Sequence, residues 1–440
     1  MIQDALDVYR KEQIPEEVPE SLPLLEEFIE EKPAGEPLAD VEILLIQHHL
    51  GPLVPRVKAM MRDGLDPKRC WFIDIPYSTN DIVWEELRSM GCPREQSAEP
   101  FNDPLKPYSN SQLQRVQGLI LDLAGELEGK ERRCRLLVVD DGAYFVRAIG
   151  NLANGVKERI IGILKNRTYL VEQTTRGYRY LKEKKNMEIV FALGSPVVSV
   201  ARSYTKSYLE SPFIGASVSR GVVQGLSRAR RMELGEVLVI GFGNVGEATT
   251  HSLMEDVDVG RIDVFDTNPE KAGPIKDAGA NPLSSLPESG SYDFVMGCTG
   301  YASFPLEKRS LLADEALLAS GSSAAIELNR EKFVELADKL PDDEIEILNR
   351  EATKEAGIHA TIELRDAEQS FSFLSAGFPI NFDGSIECLP ARLIQPTHAL
   401  LFAASRQSLQ TKSPGISFLN FEEDFWIYKH GLERLGKDSG

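Results

Sequence analysis

The chain has 440 residues, enough for two or three domains with cores of their own, and a 42% hydrophobic, 8% aromatic composition that excludes wholesale disorder. Its 68 acidic against 49 basic side chains give a formal charge of −19, a field that repels phosphate backbones and anionic bilayers and so argues against nucleic acid and membranes as partners. Five scattered cysteines (Cys70, Cys92, Cys134, Cys298, Cys388) with no C-x-x-C pair argue against a disulfide framework or a zinc knuckle. No metal is expected. The opening "MIQDALDVYRKEQIPEEVPE" lacks a basic region followed by an apolar one, and no run of about 18 apolar residues occurs, so a cytoplasmic protein is expected.

In chain order, the Glu- and Pro-rich stretch from Glu16 to Pro37 predicts a solvated helix with irregular flanks. From Val41 onward, short apolar, partly β-branched runs alternate with segments of helical period: "VEILLIQ", "CWFIDIP", "RLLVVDD", "TYLVEQ" and "MEIVFAL", then "RIDVFD", "YDFVMG", "ALLAS" and "EIEILN". This alternation predicts βαβ units and parallel sheets covered on both faces, an α/β protein of two doubly wound domains joined near Ser203 to Gly215. "SLPESGSY", Ser285 to Tyr292, reads as a surface loop.

Between the two sets of strands stands "VLVIGFGNVGEATTHSL", an apolar run, a G-x-G-x-x-G and the start of a helix. Gly241 permits the tight turn out of the strand, Gly243 lets the backbone approach a pyrophosphate, and Gly246 lets the helix close on the sheet, with Asn244 and Val245 between them. Asp266 follows Gly246 by 20 residues, at the end of the next apolar run. A carboxylate there accepts from ribose hydroxyls and repels a 2′-phosphate, which selects NAD over NADP. FAD and S-adenosylmethionine use related glycine turns and stay open as alternatives.

The segment upstream, "ARSYTKSYLESPFIGASVSRGVVQGLSRARRMELGEVLVIGFGNVG", resembles the run of S-adenosylhomocysteine hydrolases that carries a catalytic lysine, an interdomain helix and the NAD loop. "LADVEILLIQHHL", "LLVVDDGAYF", "LVEQTTRGYRYL", "VMGCTGYASF" and "SAGFPINFD" are similar to other segments of that family, in the same order from about Val41 to Gln407. The resemblance implies a substrate-binding α/β domain over residues 1–205, completed by about 385–415, a Rossmann NAD domain over 215–380 and a tail over 416–440. It also implies a homo-oligomer, dimer or tetramer, and tightly held NAD that oxidises a ribose or sugar secondary hydroxyl transiently. Elimination or hydrolysis then follows at the neighbouring carbon, with S-adenosylhomocysteine or a related nucleoside as substrate.

Residue by residue, the resemblance implies that Lys206 serves the 3′-hydroxyl and that Asp141 stands near carbons 4′ and 5′. His48 rather than His49 is the family histidine, by its distance to Gly64, and Glu210 replaces an aspartate four residues after the lysine. Gln173, Thr174, Arg176 and Ser211 fall at substrate-binding places, and Thr299, Gly300 and Asn381 beside the cofactor. Several positions depart from the family: Gln173 for a glutamate, Arg176 for a threonine, Ser211 for an asparagine and Leu50 for a threonine. Ser322 stands where a histidine is usual, Cys388-Leu389-Pro390 replaces Gly-His-Pro, and the tail is shorter. Two other readings stay open: a catalytically silent NAD-binding regulatory homologue, and a conventional NAD-dependent dehydrogenase.

Overall fold

The computed structural model describes residues 2–130, 134–322, 326–339, 345–366 and 368–437. Its first strands are β1 (Val41–His49), β2 (Cys70–Thr79), β3 (Arg135–Asp140), β4 (Thr168–Glu172), β5 (Pro196–Ser199), β6 (Glu233–Ile240) and β7 (Asp258–Phe265). They are followed by β8 (Asn281–Leu283), β9 (Tyr292–Gly297), β10 (Leu312–Ser320), β11 (Glu346–Ile347), β12 (Ile362–Arg365), β13 (Ser370–Phe373) and β14 (Gly415–Phe418). The fold is α/β, with one parallel and one mixed sheet. By contact density the chain forms two units: residues 14–100, 110–210 and 389–440 in one, and residues 1–13, 101–109 and 211–388 in the other.

In the first unit the sheet order is β14-β5-β4-β3-β1-β2, every pair parallel. The interior strand β1 is buried along almost its whole length, as a strand covered by helices on both faces must be, and this explains its apolar run Ile43–Ile46. From β1 the chain goes outward to β2, then returns past β1 to β3, β4 and β5. The strand order therefore reverses between β1 and β3, and open α/β sheets bind ligands at the carboxyl ends of the strands flanking such a reversal.

In the second unit the order is β11-β12-β13-β10-β9-β6-β7-β8, parallel from β13 to β8, with β11 and β12 added antiparallel. The reversal here lies between β6 and β9. Val237, Val239, Phe294 and Met296 from these two strands pack with Val218 and Val222 of the helix Ser211–Arg228 in the unit's core.

Four expectations are corrected. "MEIVFAL" is not a strand but the end of the helix Lys184–Leu193; Asn186, Ile189, Val190 and Leu193 are buried at helical spacing, and Gly194 at φ +65° closes it. The strand is the shorter β5 just beyond. The helix within Glu16 to Pro37, Pro23–Glu31, is not solvated all round: Leu24, Leu25 and Phe28 are fully buried. β12, antiparallel to both β13 and β11, makes the second sheet mixed rather than parallel, and of "EIEILN" only Glu346–Ile347 is strand, Glu344 lying outside the described residues.

The units also differ from the domain ranges read from the sequence. The chain passes between them at Glu210/Ser211 and Cys388/Leu389, and residues 1–13 and 101–109 go with the second sheet. The physical cause for the first of these is the amphipathic helix Ile2–Arg10, whose Ile2, Ala5, Leu6 and Tyr9 are buried on that unit. The tail is the helix Phe421–Lys437, part of the first unit. No described helix is long and apolar enough to cross a membrane.

Candidate functional site

At the reversal of the first sheet, His48 leaves the end of β1 and Asp141 follows β3. Their side chains meet, His48 Nε2 to Asp141 Oδ2 at 3.3 Å. Ser78 Oγ donates to the Ile75 carbonyl at 3.0 Å, so it accepts from His48 Nδ1–H at 2.5 Å, and Nε2 is the nitrogen turned to the carboxylate. Burial works against a charged Asp141, but His48, then Arg176 and Lys206, outweigh it and hold the carboxyl below its usual range. His49 points the other way, fully buried against Phe72 and Trp84, and burial pushes its imidazole down to about 4.

After β5 the chain makes one π-helical turn, Lys206–Glu210, and in it the i,i+4 pair Lys206 Nζ to Glu210 Oε1 closes at 3.1 Å. The other oxygen of Glu210 accepts from Thr397 of the helix Ala391–Gln410. Asp424 of the tail helix fixes the start of this turn, accepting from Tyr204 N at 2.6 Å, Thr205 N at 3.1 Å and Thr205 Oγ1 at 2.7 Å. Lys206 is therefore positioned by two later segments of the chain.

Gln173 follows β4, and its Oε1 is buried with no partner among the described residues, an acceptor open to a donor from a ligand. Thr174 is otherwise engaged: its hydroxyl donates to Glu172 at 2.8 Å and accepts from Gly177 N at 2.9 Å as the cap of the helix Thr175–Leu181. Arg176 Nη2 donates to Tyr144 Oη at 3.1 Å and its guanidinium lies over that ring. Ser211 lies in the second unit, where Asn244 Nδ2 donates to it at 2.8 Å.

Beneath these groups are two buried carboxyls. Glu172 accepts from Gly142 N, Ala143 N and Thr174 N, shaping the Asp-Asp-Gly turn, and Asp140 accepts from Tyr144 N and Phe145 N at the start of the helix Tyr144–Gly150. Burial pushes Asp140 up to about 7, and burial with Asp140 beside it pushes Glu172 well above its usual value. A Cβ at Gly177 would lie 2.2 Å from the Glu172 carboxyl carbon, which is why the position needs glycine.

In the second unit, β6 ends in the glycine turn. Gly241 has φ +98°, and a Cβ there would meet the Cys298 carbonyl after β9 at 2.8 Å. A Cβ at Gly246 would sit 1.9 Å from the Gly241 carbonyl, so the helix Asn244–Asp256 starts hard against the turn. Gly243 has nothing within 4 Å and caps that helix without a side chain, leaving its N-terminal N–H groups to an outside acceptor. Asp266 follows β7; its carboxylate accepts from Phe242 N at 2.7 Å and Asn268 N at 2.8 Å, which holds it beside the turn.

Val245 packs partly against the core, and Asn381 Nδ2 donates to Ser217 Oγ at 3.3 Å. Thr299 and Gly300 are gathered by Glu327, fully buried, which accepts from Thr299 Oγ1 at 2.9 Å, Gly300 N at 2.5 Å, Ser303 Oγ at 2.7 Å and Ser322 Oγ. Residues 323–325 of the "ASGSSAAIELN" segment lie outside the described residues.

Sequence reasoning missed Glu172, Glu327, Thr397, His398 and Asp424. Glu172 alone carried a signal, as the acid preceding Gln173 in the quoted motif. The others sit in stretches whose polar residues have no fixed spacing to the sites they reach.

No family model matches the chain. It is similar to uncharacterized proteins of Mycobacterium tuberculosis strains CDC 1551 / Oshkosh and ATCC 25618 / H37Rv, 29% identical to each over 368 residues and 83% of this chain. The chain spans 64% of the length of these curated relatives. Among solved structures, galactitol-1-phosphate dehydrogenase from Escherichia coli is similar over 27% of this chain and 37% of that one, at 18% identity and a TM-score of 0.21.

Proposed function

We propose that the chain is an NAD-dependent enzyme of the S-adenosylhomocysteine hydrolase type, with a Rossmann NAD domain in the second unit and a nucleoside- or sugar-binding domain in the first. The observation that carries the reading is the assembly of Lys206-Glu210-Thr397 and His48-Asp141 in the unit whose sheet reverses between β1 and β3. These are the groups a transient alcohol oxidation needs, and the ordered motif resemblance supports their roles.

Three features support a dinucleotide at the glycine turn: Gly243 has open space around it, the helix behind it lacks a side-chain cap, and Asp266 is held beside the turn, where it would meet a ribose. When bound, NAD supplies the hydride acceptor and later the hydride donor. Lys206, as the neutral amine, takes the proton of the secondary hydroxyl and becomes the ammonium ion paired with Glu210, whose second oxygen Thr397 occupies. Asp141, kept ionised by the cations round it, accepts the proton of the adjacent carbon, and His48 Nε2 exchanges a proton with the leaving group or water. Gln173 Oε1 accepts from a substrate hydroxyl.

A specific departure favours a second reading, the silent regulatory homologue: Gln173 cannot take a proton or supply charge where the family has glutamate. One preparation separates the readings. Purified protein is denatured and assayed for released NAD, and native protein is incubated with adenosine or S-adenosylhomocysteine while absorbance of bound NADH is followed. Reduction of retained NAD with product formation is expected. Retained NAD that no nucleoside reduces favours the silent homologue, and steady release of NADH favours a conventional dehydrogenase. Lys206→Ala should abolish reduction and leave NAD bound; reduction that persists removes Lys206 from the chemistry.

A further inference from the structure

Arg56 stands in the first turn of the helix Leu53–Arg62, just after β1, and is 1% exposed. Its Nη2 donates to Gln47 Oε1 at 3.0 Å, a neutral acceptor. Its Nε and Nη1, which carry three N–H donors, have no acceptor among the described residues. Among the described residues no acidic neighbour opposes the burial of its charge, which pushes the guanidinium down to about 9, so it is still charged at neutral pH. The helix has no acidic residue in its first turn and no side-chain cap, so the cation also sits at the positive end of the helix dipole.

His398 belongs to the helix Ala391–Gln410, which packs on the helix Leu53–Arg62. Its Nδ1 is buried and likewise has no partner among the described residues. Burial, then the nearby Arg56, Lys206 and His48, hold its imidazole well below the ordinary value, and the helix its own helix packs on is the one that carries Arg56. Lys206 is paired with Glu210 and His48 with Asp141. Among the described residues Arg56 is bonded only to the neutral Gln47, and natural cores hold a buried charge only with a counter-charge.

We propose that the ligand of the first unit carries an anionic oxygen group, a phosphate or a carboxylate, seated on Arg56 with His398 Nδ1 beside it. The inference rests on reading this unit as the substrate domain and names the substrate class: an anionic nucleoside or sugar derivative. A buried water would satisfy the N–H groups but would leave the charge unbalanced. The anion supplies both the acceptors and the charge, and the dipole of the helix adds to its attraction.

The test is calorimetric titration of the full chain with inorganic phosphate and, separately, acetate, at constant ionic strength. Wild type should bind at least one of the two, the stronger identifying a phosphate or a carboxylate ligand. Arg56→Met should weaken that binding at least tenfold, His398→Ala should weaken it several-fold, and in anion-free buffer Arg56→Met should melt no lower than wild type. Neither anion binding to wild type, or both binding equally well to Arg56→Met, overturns the inference. If Arg56→Met does not fold, an unchanged affinity in His398→Ala overturns it. Absence of anion binding to wild type with nucleoside-dependent NAD reduction intact defeats this inference alone; anion binding to wild type without retained NAD defeats the functional reading alone.

Discussion

Gly243 and Gly246 belong to one motif yet are required for different reasons, and mutation separates them. Gly246→Ala forces a Cβ onto a backbone carbonyl 1.9 Å away, and should cost about 2–4 kcal/mol in urea denaturation because neither the turn nor the helix can give way. Gly243→Ala meets nothing, and should change stability by no more than about 1 kcal/mol while weakening NAD binding measured by calorimetry. Equal stability losses at the two positions would make Gly243 a packing glycine. His48 and His49 divide in a similar way: neighbours on one strand face opposite ways, so one reaches Asp141 and the other an aromatic pocket. His49 has a folded value of about 4 against 6.5 in the unfolded chain, so the unfolded chain binds more protons between these values. Its stabilising contribution is full above pH 6.5 and is lost as pH falls to 4. Relative to His49→Leu, wild type should therefore lose on the order of 3 kcal/mol between pH 7 and pH 4 in denaturant titrations, and parallel pH profiles for the two proteins would refute it.

Elements place these residues, and some of them could be read directly. β1, β3, β6 and β9 each carry a short apolar run (Ile43–Ile46, Leu136–Val139, Val237–Ile240 and Phe294–Met296), and burial on both faces leaves few other sequences for such runs. "MEIVFAL" satisfied the same rule and is a helix, because a short apolar run carries no period and the deciding contacts, Asn186 and Leu193 on one face, fall at its edges. The turn Lys206–Glu210 was legible as residues but not as geometry. Its start is fixed by Asp424, more than two hundred residues later, and no local pattern announces that bond. Asp424→Ala leaves the Tyr204 and Thr205 N–H groups without their acceptor. It should cost about 2–3 kcal/mol and reduce nucleoside-dependent NAD reduction, while NAD content measured after denaturation stays at the wild-type level. Unchanged stability would show that the tail helix does not set the turn.

At the scale of the whole molecule, the sequence by itself determined the α/β class, the glycine turn after β6 with Asp266 beyond it, and the polar residues at the ends of β1, β3 and β4. These are consequences of local rules: two-sided burial dictates apolar strands, and a turn at φ +98° with a helix starting hard against it dictates glycine. Only the tertiary structure decided which segments complete each unit. It drew residues 1–13 and 101–109 to the second sheet and returned residues 389–440 to the first. It also decided the partners of the site residues: Thr397 for Glu210, Asp424 for the turn before it, Glu327 for the Thr299–Gly300 loop, and Gln47 for the buried Arg56. Each of these contacts joins residues far apart in the chain, so its energy is realised only after the backbone between them has been ordered, and the residues at its two ends bear no fixed spacing that a sequence could display.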